Sequence, residues 1–306
     1  MSEVVVIGGA NMDLHARSDA PVVLGSSNPG RGTLSPGGVA RNIAESLARL
    51  GTTAALVAVV GDDPVGDDVL AATADAGVDL SHVRRRHVRT GTYNAILDNT
   101  GELVVAVADM AATEQLSPLA VEAARDVIGS AKMLVVDGNV PPGSAARALE
   151  IAYAAGVPVL LEPVSVPKAT GLRDRLDADH PVFAVTPNLG ELGALTGLST
   201  DGDDEVAEAA AQLHERGAEL VWVRRGRDGS WLSGPDGQTR IPAVPVDVVS
   251  VTGAGDAMVA GFCHALLDGA GAAEAARFGA AAAAVTCASE RTVRPDLTDE
   301  LVRSLL

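Results

Sequence analysis

The segment Ser250–Asp256 has the residue types of a site that handles an anion and a proton. Its sequence, Ser-Val-Thr-Gly-Ala-Gly-Asp, leads directly into the apolar run 257–262, which is typical of a buried helix. Glycines let a ligand approach the backbone closely, and free N–H groups at a helix start attract negative charge. The presence of a carboxylate beside such an anion site is explained if the carboxylate acts as a general base, which takes a proton from a hydroxyl group.

This interpretation assigns Asp256 as the catalytic base, and it assigns the amides of Gly253, Ala254 and Gly255 as the groups that hold the developing negative charge. The hydroxyl would attack a phosphoryl group, so the segment indicates a phosphotransferase. For the segment alone, the alternative is a glycine turn followed by an aspartate that caps a helix.

Polar residues also follow the first predicted strand and enter the first predicted helix. Asn11 and Asp13 come after the strand, and ligands bind at the carboxyl ends of strands in open α/β sheets. Their side chains suit hydrogen bonds to sugar hydroxyls, although an Asx turn explains the pair equally well. Gly37 and Gly38 then open a helix that carries Asn42 one turn later, which lets a diol rest against bare backbone.

Two later clusters suit a nucleotide. Asn188 and Glu191 follow a predicted strand and are three residues apart, so they share one face if they lie in a helix. A carboxylate in that position can order water around Mg²⁺. Gly226 and Gly229 belong to a turn between two predicted strands that could lie beneath a nucleotide, whereas an ordinary hairpin turn is the simpler explanation of this segment alone.

Composition limits the partners of the chain. It has 306 residues, of which 47% are hydrophobic and 2% are aromatic, and its formal net charge is −17. Such a surface repels polyanions and argues against nucleic acid as a partner, but local amides, arginines and Mg²⁺ can still hold a small phosphorylated ligand. No signal peptide or membrane-spanning run is recognisable, so we expect a cytoplasmic protein with no membrane partner.

The sequence lacks several common kinds of active-site motif. Neither Lys132 nor Lys168 follows a glycine loop, so there is no Walker-type nucleotide site, and no Gly-x-Gly-x-x-Gly motif supports dinucleotide binding. A Gly-x-Ser-x-Gly elbow is missing, and the six histidines lack zinc-ligand spacing. Cys263 and Cys287 are expected to be buried, reduced thiols.

Short apolar segments, typical of buried strands, alternate along the chain with segments that have helical spacing. This order predicts an α/β fold with a mainly parallel sheet and helices on both faces. The predicted strands are 4–7, 54–60, 133–136, 157–161, 182–185 and 220–223, and the predicted helices include 39–50, 64–76, 145–155 and 203–216.

Two stretches interrupt that order. Residues 12–35 contain prolines and several glycines and are predicted to be irregular, whereas 90–108 is predicted to form a hairpin. Both are expected at one edge of the core as a small β-lid over the site, with two ordinary surface excursions as the alternative. Because no repeat or low-complexity linker occurs, we expect residues 1–306 to form one domain with lid segments at about 12–36 and 83–109.

Taken together and in this order, these motifs resemble the ribokinase family of carbohydrate kinases, also called the PfkB family. The Gly253–Asp256 segment and the Pro-Gly-Gly segment that precedes Asn42 correspond to the two signatures of that family. The resemblance implies a three-layer α/β sandwich with a mainly parallel central sheet and a small β-lid. It also implies transfer of the γ-phosphate of ATP, with Mg²⁺, to a primary alcohol.

By that resemblance the residues divide into a sugar site, a catalytic loop and an ATP site. The sugar site comprises Asn11, Asp13, Gly37, Gly38 and Asn42, the catalytic loop is Gly253–Asp256, and the ATP site comprises Asn188, Gly226, Gly229 and Thr252, with Glu191 contacting Mg²⁺ through water.

Within the family, the chain is most similar to pseudouridine kinases, over 27–30, 35–45, 92–93, 108–110, 137–139, 162–165 and 251–258. Uracil offers both donors and acceptors, so a site that buries it needs both kinds of group. Asn28, Asn94, Asp109 and Asn139 are candidates to supply them, and polar turn or strand-end residues are the alternative. The resemblance thus implies phosphorylation of the 5′-hydroxyl of pseudouridine. The main alternative is a kinase of another nucleoside or of a free sugar such as ribose, fructose or a sugar phosphate; a non-catalytic ligand-binding member is less favoured.

Two positions depart from the family pattern, and one segment bears on assembly. Ser250 stands where the signature usually has the aspartate that ribokinases associate with a monovalent cation, so a K⁺ requirement stays open. Glu162 replaces an expected aspartate and reaches one methylene further. Lid strands in this family often pair between subunits, and 103–107 would be an exposed edge suited to a homodimer.

Overall fold

The computed structural model describes residues 2–306, except for the side chain of Asp174. The strands are β1 (Val4–Ile7), β2 (Asn11–Ser18), β3 (Gly30–Gly37), β4 (Ala54–Val57), β5 (Val59–Gly61), β6 (Arg84–Arg86), β7 (Gly91–Leu97), β8 (Leu103–Asp109), β9 (Met133–Asp137), β10 (Val159–Glu162), β11 (Val182–Val185), β12 (Ala218–Arg224), β13 (Ser230–Gly234) and β14 (Gly237–Ile241). The helices are α1 (Val39–Leu50), α2 (Pro64–Asp75), α3 (Ala111–Glu114), α4 (Pro118–Glu122), α5 (Arg125–Ser130), α6 (Pro142–Ala155), α7 (Val166–Leu172), α8 (Leu189–Thr196), α9 (Asp203–Glu215), α10 (Ala254–Leu267), α11 (Ala272–Cys287) and α12 (Asp299–Arg303).

The largest sheet has eight strands in the order β14-β13-β12-β11-β10-β9-β1-β4. The six strands from β12 to β4 run parallel, and β13 and β14 are added antiparallel at one edge. Successive residues of β1 alternate between two apolar cores. Val4 and Val6 share a core with residues of α1, α10 and α11, and Val5 and Ile7 share the other with residues of α4, α6, α8 and α9. The predicted mainly parallel sheet with helices on both faces is thereby confirmed.

Most predicted elements are present, and two predictions need correction. The helix at 39–50 and the strand at 182–185 have the predicted bounds. The predicted strand 54–60 is divided, because β4 joins the large sheet while β5 pairs with β6 in a separate two-stranded sheet.

Among residues 2–306, no helix has both the length and the apolar character that crossing a membrane requires.

The prediction that residues 12–35 are irregular is wrong. Most of this stretch lies in β2 and β3, which pair antiparallel, and only the residues between them connect the strands. The strands escaped detection because β2 places polar residues, among them Asn11 and Asp13, on a buried face, which removes the usual alternation of apolar and polar residues.

A second sheet of four strands has the order β3-β2-β7-β8 and contains the predicted hairpin, β7 and β8. Residues directly opposite each other in register point to the same face. Asp13 pairs with Ser35 and Tyr93, so these three define one face, which we call the inner face. The edge strand β8 is mostly exposed, and its exposed residues include Val105 and Val107.

Candidate active site

Several charged residues stand at the carboxyl ends of adjacent parallel strands of the large sheet. Asp137 ends β9, Glu162 ends β10 and lies beside Asp137 in register, and Arg224 ends β12. The apolar strands fix these ends rigidly, because the strands are buried on both faces. This edge is the usual location of a ligand site in such a fold.

Asn11 and Asp13 lie at the start of β2, shortly after β1. Asn11 Nδ2 donates a hydrogen bond of 2.6 Å to Asp13 Oδ1, and both residues are buried. The Asp13 carboxylate fills the space that a side chain at Gly37 would need, so glycine is required there by close approach. Burial raises the pKa of Asp13, and neighbouring His15 opposes that shift. This buried carboxylate, set against bare backbone, is suited to accept hydrogen bonds from hydroxyl groups.

Helix α1 holds Asn42 so that its amide meets Asp256. The Nε and Nη2 atoms of Arg41 donate to Asn42 Oδ1 at 3.2 and 2.9 Å, and Arg41 also pairs with Glu45 at 2.7 Å. Because its oxygen is engaged, Asn42 donates through Nδ2 to Asp256 Oδ2 at 2.7 Å. All three α1 residues are buried, which is costly for polar groups unless each has a partner, and here each has one.

Asp256 lies in the first turn of α10. The helix begins after Gly253, whose φ of 80° is a left-handed conformation that favours glycine. Of the three amides predicted to hold the charge, that of Ala254 donates to the Val251 carbonyl at 3.3 Å, whereas those of Gly253 and Gly255 have no acceptor among the described residues. The N–H group of Asp256 has none either. These free amides, together with the dipole of α10, form a site that favours an anion.

The protonation of Asp256 is set by its surroundings. Burial raises the pKa of Asp256 from 3.8 to about 7, the Asn42 hydrogen bond and Arg224 oppose the rise, and Glu162 and Asp137 add to it. A base whose pKa lies near neutrality combines availability of the charged form with a strong driving force for proton transfer. The geometry therefore places a carboxyl group that can exchange a proton near neutral pH beside amides that can hold an anion.

Arg224 bridges two buried carboxylates at the same edge of the sheet. Its Nη2 atom donates to Glu162 Oε1 at 2.7 Å and to Glu191 Oε2 at 3.1 Å. Thr186 Oγ1 donates to the second Glu162 oxygen at 2.6 Å. Burial alone would lower the pKa of Arg224, but the two glutamates raise it above the usual value, so the guanidinium stays charged.

A cavity of about 390 Å³ lies next to Arg224 and the start of α10. Gly226 and Gly229 contribute to its wall, and most of its remaining lining is apolar, including Val246, Val251, Met258, Ala283 and Cys287. A largely apolar cavity beside a charged group and free amides has the chemistry that a nucleotide site would need.

Asn188 and Glu191 take part in the cap of α8. Asn188 Oδ1 accepts from the Glu191 N–H at 2.9 Å, and Glu191 Oε2 accepts from the Asn188 N–H at 2.8 Å. Both residues stand beside Arg224, since Asn188 forms a bridge with it in register. Thr252, the other residue predicted for the ATP site, lies in the loop that leads into α10, where its N–H donates to Ser250 Oγ.

The four candidate base-reading residues are dispersed. Asn94 pairs with Leu14 and Val107, so it lies on the face of the four-stranded sheet opposite to Asp13, and Asp109 lies on that outer face too. The Asn28 side chain bonds to the backbone of its own exposed loop.

The side chain of Asn139 lies near the turn that precedes Asn11. Its Nδ2 atom approaches Gly9 in the turn before Asn11, and its N–H donates to Asp137 at 2.8 Å. The side chain of Asn139 therefore lies at the candidate active site, whereas the side chains of Asn28, Asn94 and Asp109 lie elsewhere.

Three charged residues of the site were not assigned a role from the sequence. Arg41 orients Asn42, and Arg224 joins Glu162 to Glu191. Asp137 accepts from the N–H groups of Gly9 at 2.9 Å and Ala40 at 3.1 Å, which ties the turn after β1 to the start of α1. A usable signal existed for Asp137 and Arg224, because each is a charged residue that ends an apolar strand.

Comparison with known proteins shows the family of the chain. Residues 1–299 match the model of the pfkB family carbohydrate kinases. The pseudouridine kinase of Escherichia coli is 36% identical over 99% of this chain and 96% of its own, and the uncharacterized sugar kinase YeiI of the same organism is 33% identical over 99% and 83%. The structure of Arabidopsis thaliana ribokinase complexed with ribose and ATP superposes with a TM-score of 0.84 at 26% identity, covering 100% of this chain and 99% of that one.

Proposed function

Since the chain belongs to the pfkB family of carbohydrate kinases and is therefore a phosphotransferase that acts on an alcohol group, we propose that it transfers the γ-phosphate of ATP to the 5′-hydroxyl of pseudouridine. The observation that carries the proposal is the meeting of Asp256, oriented by Asn42, with the free amides of α10. A base and an anion site that adjoin each other are what phosphoryl transfer to a hydroxyl requires.

In the proposed reaction, the ribose lies against Asp13 and the backbone at 37–38. The O5′ hydroxyl gives its proton to Asp256 as it attacks the γ-phosphorus in line with the departing ADP. The amides of Gly255 and Asp256 stabilise the negative charge that spreads over the phosphoryl oxygens. Asn42 keeps the carboxylate aimed at the hydroxyl, because its amide oxygen is fixed by Arg41.

The family implies Mg²⁺, and the carboxylates of the site fit its usual mode of binding in kinases. Among residues 2–306, no group of three or more His, Cys, Asp or Glu side chains is arranged to hold a metal ion. Mg²⁺ in kinase sites is bound by one or two carboxylates together with substrate phosphates and water, so an all-protein cage is not needed. We assign Glu191, acting through water, and its neighbour Glu162 as the carboxylates that would face the ion, which neutralises phosphate charge when it is bound.

The choice of pseudouridine rests on sequence similarity to a pseudouridine kinase over the whole chain. The chain is also similar to a sugar kinase and to a ribokinase, so another nucleoside or a free sugar such as ribose is the second candidate. Asp13, Asn42 and Asp256 suit any of these substrates, because each substrate presents a sugar hydroxyl. The group attached at C1 of the sugar is what separates the candidates.

A panel of acceptors tests the substrate. ADP release is measured with pseudouridine, uridine, adenosine, ribose, fructose and fructose 6-phosphate at equal concentrations, with Asp256→Asn as the blank. We expect kcat/KM to be highest for pseudouridine, and the product to carry its phosphate on O5′ by ³¹P NMR. A higher kcat/KM for ribose would replace pseudouridine with a free sugar.

We further propose that the four-stranded sheet acts as a lid and joins two copies of the chain. Its inner face carries Asp13, so closure over bound substrate would exclude water and suppress hydrolysis of ATP. Its edge strand β8 exposes Val105 and Val107 to 52% and 63%, an unpaired apolar edge that a second copy would cover. We place the enzyme in the cytoplasm, where ATP is abundant and thiols such as the free Cys263 and Cys287 stay reduced.

A further inference from the structure

Only one of the terminal nitrogens of Arg224 serves the two glutamates. Nη2 bonds to both Glu162 and Glu191, whereas Nη1 has no hydrogen-bond partner among the described residues. A guanidinium offers five donors in a rigid fork, so the donors of Nη1 are open to a further acceptor. If Arg224 served only to balance the charge of the two glutamates, nothing would require its remaining donors to stay unpaired.

The free side of the fork lies against the anion site. A Cβ atom added to Gly255 would come within 2.5 Å of Arg224 Nη1, so the absence of a side chain at 255 is what lets the guanidinium approach α10. Gly255 is also one of the residues whose N–H lacks an acceptor. Arg224 and Gly255 both line the cavity of about 390 Å³ beside Gly226 and Gly229.

The charge around this point calls for a cation. Glu162 and Glu191 are buried, with side chains 3% and 2% exposed, and Asp256 stands close enough to Arg224 for each to shift the pKa of the other. Charges interact strongly where water is excluded, so these carboxylates would repel the phosphates of ATP unless positive groups faced them. Mg²⁺ would supply one such charge when it is bound, and Arg224 supplies a second that is fixed to the protein. Arg224 is charged, held in place and open on the side of the cavity.

We propose that Arg224 is a further catalytic residue, whose Nη1 donates to an oxygen of the γ-phosphoryl group of ATP. This assignment rests on the proposed phosphotransfer. The O5′–Pγ bond forms, the bond from Pγ to the β,γ-bridging oxygen breaks, the hydroxyl proton passes to Asp256 and ADP leaves. Arg224 stays protonated throughout and stabilises the charge on the transferring group. Glu162 and Glu191 position the guanidinium and prevent it from folding back into the cavity.

The test compares the affinities for ATP and ADP, which need no acceptor. Isothermal titration calorimetry with Mg²⁺ is run on the full-length protein and on Arg224→Met and Arg240→Met. Arg240 serves as the control because it also pairs with a carboxylate, Asp203, but is exposed on β14. We expect Arg224→Met to weaken ATP binding about tenfold or more relative to ADP, since a charge-assisted bond to the γ-phosphate is lost. Arg240→Met should leave the ratio of the two affinities unchanged.

A second variant covers the case in which Arg224→Met does not fold. Arg224→Lys keeps a charge for Glu162 and Glu191, but its three donors lie on one nitrogen, which cannot occupy the positions of both Nη2 and Nη1. We expect its unfolding midpoint to stay within a few degrees of the wild type and its kcat to fall at least about tenfold, towards the 10²–10³-fold loss typical of a missing anion-site donor. A wild-type kcat in Arg224→Lys, or equal weakening of ATP and ADP in Arg224→Met, would overturn the assignment.

These readouts separate this inference from the proposed function. If the wild-type protein binds ATP but phosphorylates no member of the acceptor panel, the proposed substrate is wrong, while the ratio of ATP to ADP affinity still reports on Arg224. If pseudouridine is phosphorylated and neither variant changes kcat or that ratio, the kinase stands and the role of Arg224 falls.

Discussion

Replacing Asp256 with asparagine should make the protein less active and more stable at the same time. Asparagine keeps the shape of the side chain and can still accept the hydrogen bond from Asn42, but it cannot take a proton. Loss of a general base typically lowers the rate by 10²–10⁴-fold. We therefore expect kcat to fall by at least about 100-fold, with the KM for the acceptor changed little.

The effect on stability follows from the raised pKa of Asp256. Its pKa is about 7 in the folded protein, against 3.8 for an ordinary aspartate, so the folded state holds the proton across that interval while the unfolded chain has lost it. The contribution of protonated Asp256 to wild-type stability is therefore fully present below about pH 4 and is lost as the pH rises to about 7. At about 1.4 kcal/mol per unit, the total cost of ionising Asp256 is at most about 4 kcal/mol.

Asparagine does not ionise, so the variant escapes this loss. Working at about pH 5.5 and pH 8.5 keeps the protein above its isoelectric point of about 4.6. Between these two values, the free energy of unfolding of Asp256→Asn should gain about 2 kcal/mol on that of the wild type, from the part of the shift that lies between pH 5.5 and 7. Urea denaturation without ligands measures the difference directly.

Asp236→Asn is the matched control, because this aspartate is exposed in the turn between β13 and β14. It should change neither kcat nor the pH dependence of unfolding. Unchanged turnover in Asp256→Asn would refute the role as base. A variant that loses turnover without gaining stability at high pH would refute the reasoning that burial keeps this carboxyl group protonated.

Three further perturbations follow from the contacts of the site and of the four-stranded sheet. Asn42→Ala removes the hydrogen bond that favours the charged form of Asp256, so the acidic limb of the pH profile of kcat/KM should move to higher pH. An unchanged acidic limb would contradict the role of this hydrogen bond. Gly37→Ala places a methyl group on the Asp13 carboxylate, and steady-state kinetics should show a KM for the acceptor raised at least about tenfold with the KM for ATP nearly constant. Val107→Lys puts a charge on the exposed edge strand β8, so light scattering should find the proposed dimer for the wild type and a monomer for the variant.

The elements of the fold that can be predicted from the sequence are those whose pattern lies within one continuous segment. The apolar run 182–185 and the helix 39–50, which ends at a glycine with φ of 97°, carry their own boundaries. Strands β2 and β3 carry no such local boundaries, because they pair with each other and with β7. The buried face of β2 is also polar, because it faces the candidate active site. The polar residues that β2 contributes to the candidate site thus remove the sequence pattern by which this strand could be predicted.

The candidate site divides in the same way. Asp256 and the glycines before it are adjacent in sequence, so a joint role for them can be proposed from the sequence alone. The bond between Asn42 and Asp256 joins residues 214 positions apart, and the pair Arg224–Glu162 joins residues 62 apart. Neither pairing has a local signal. The placement of Asn94 and Asp109 on the outer face of the sheet depends on strand register, which a single-residue shift would reverse.

A structure with pseudouridine, Mg²⁺ and a non-hydrolysable ATP analogue would test the central claim most directly. We predict the O5′ atom within about 3.2 Å of the Asp256 carboxylate, and the γ-phosphate against the amides of Gly255 and Asp256. A nucleoside bound with O5′ turned away from Asp256, or a phosphate chain that leaves those amides exposed to water, would contradict the account.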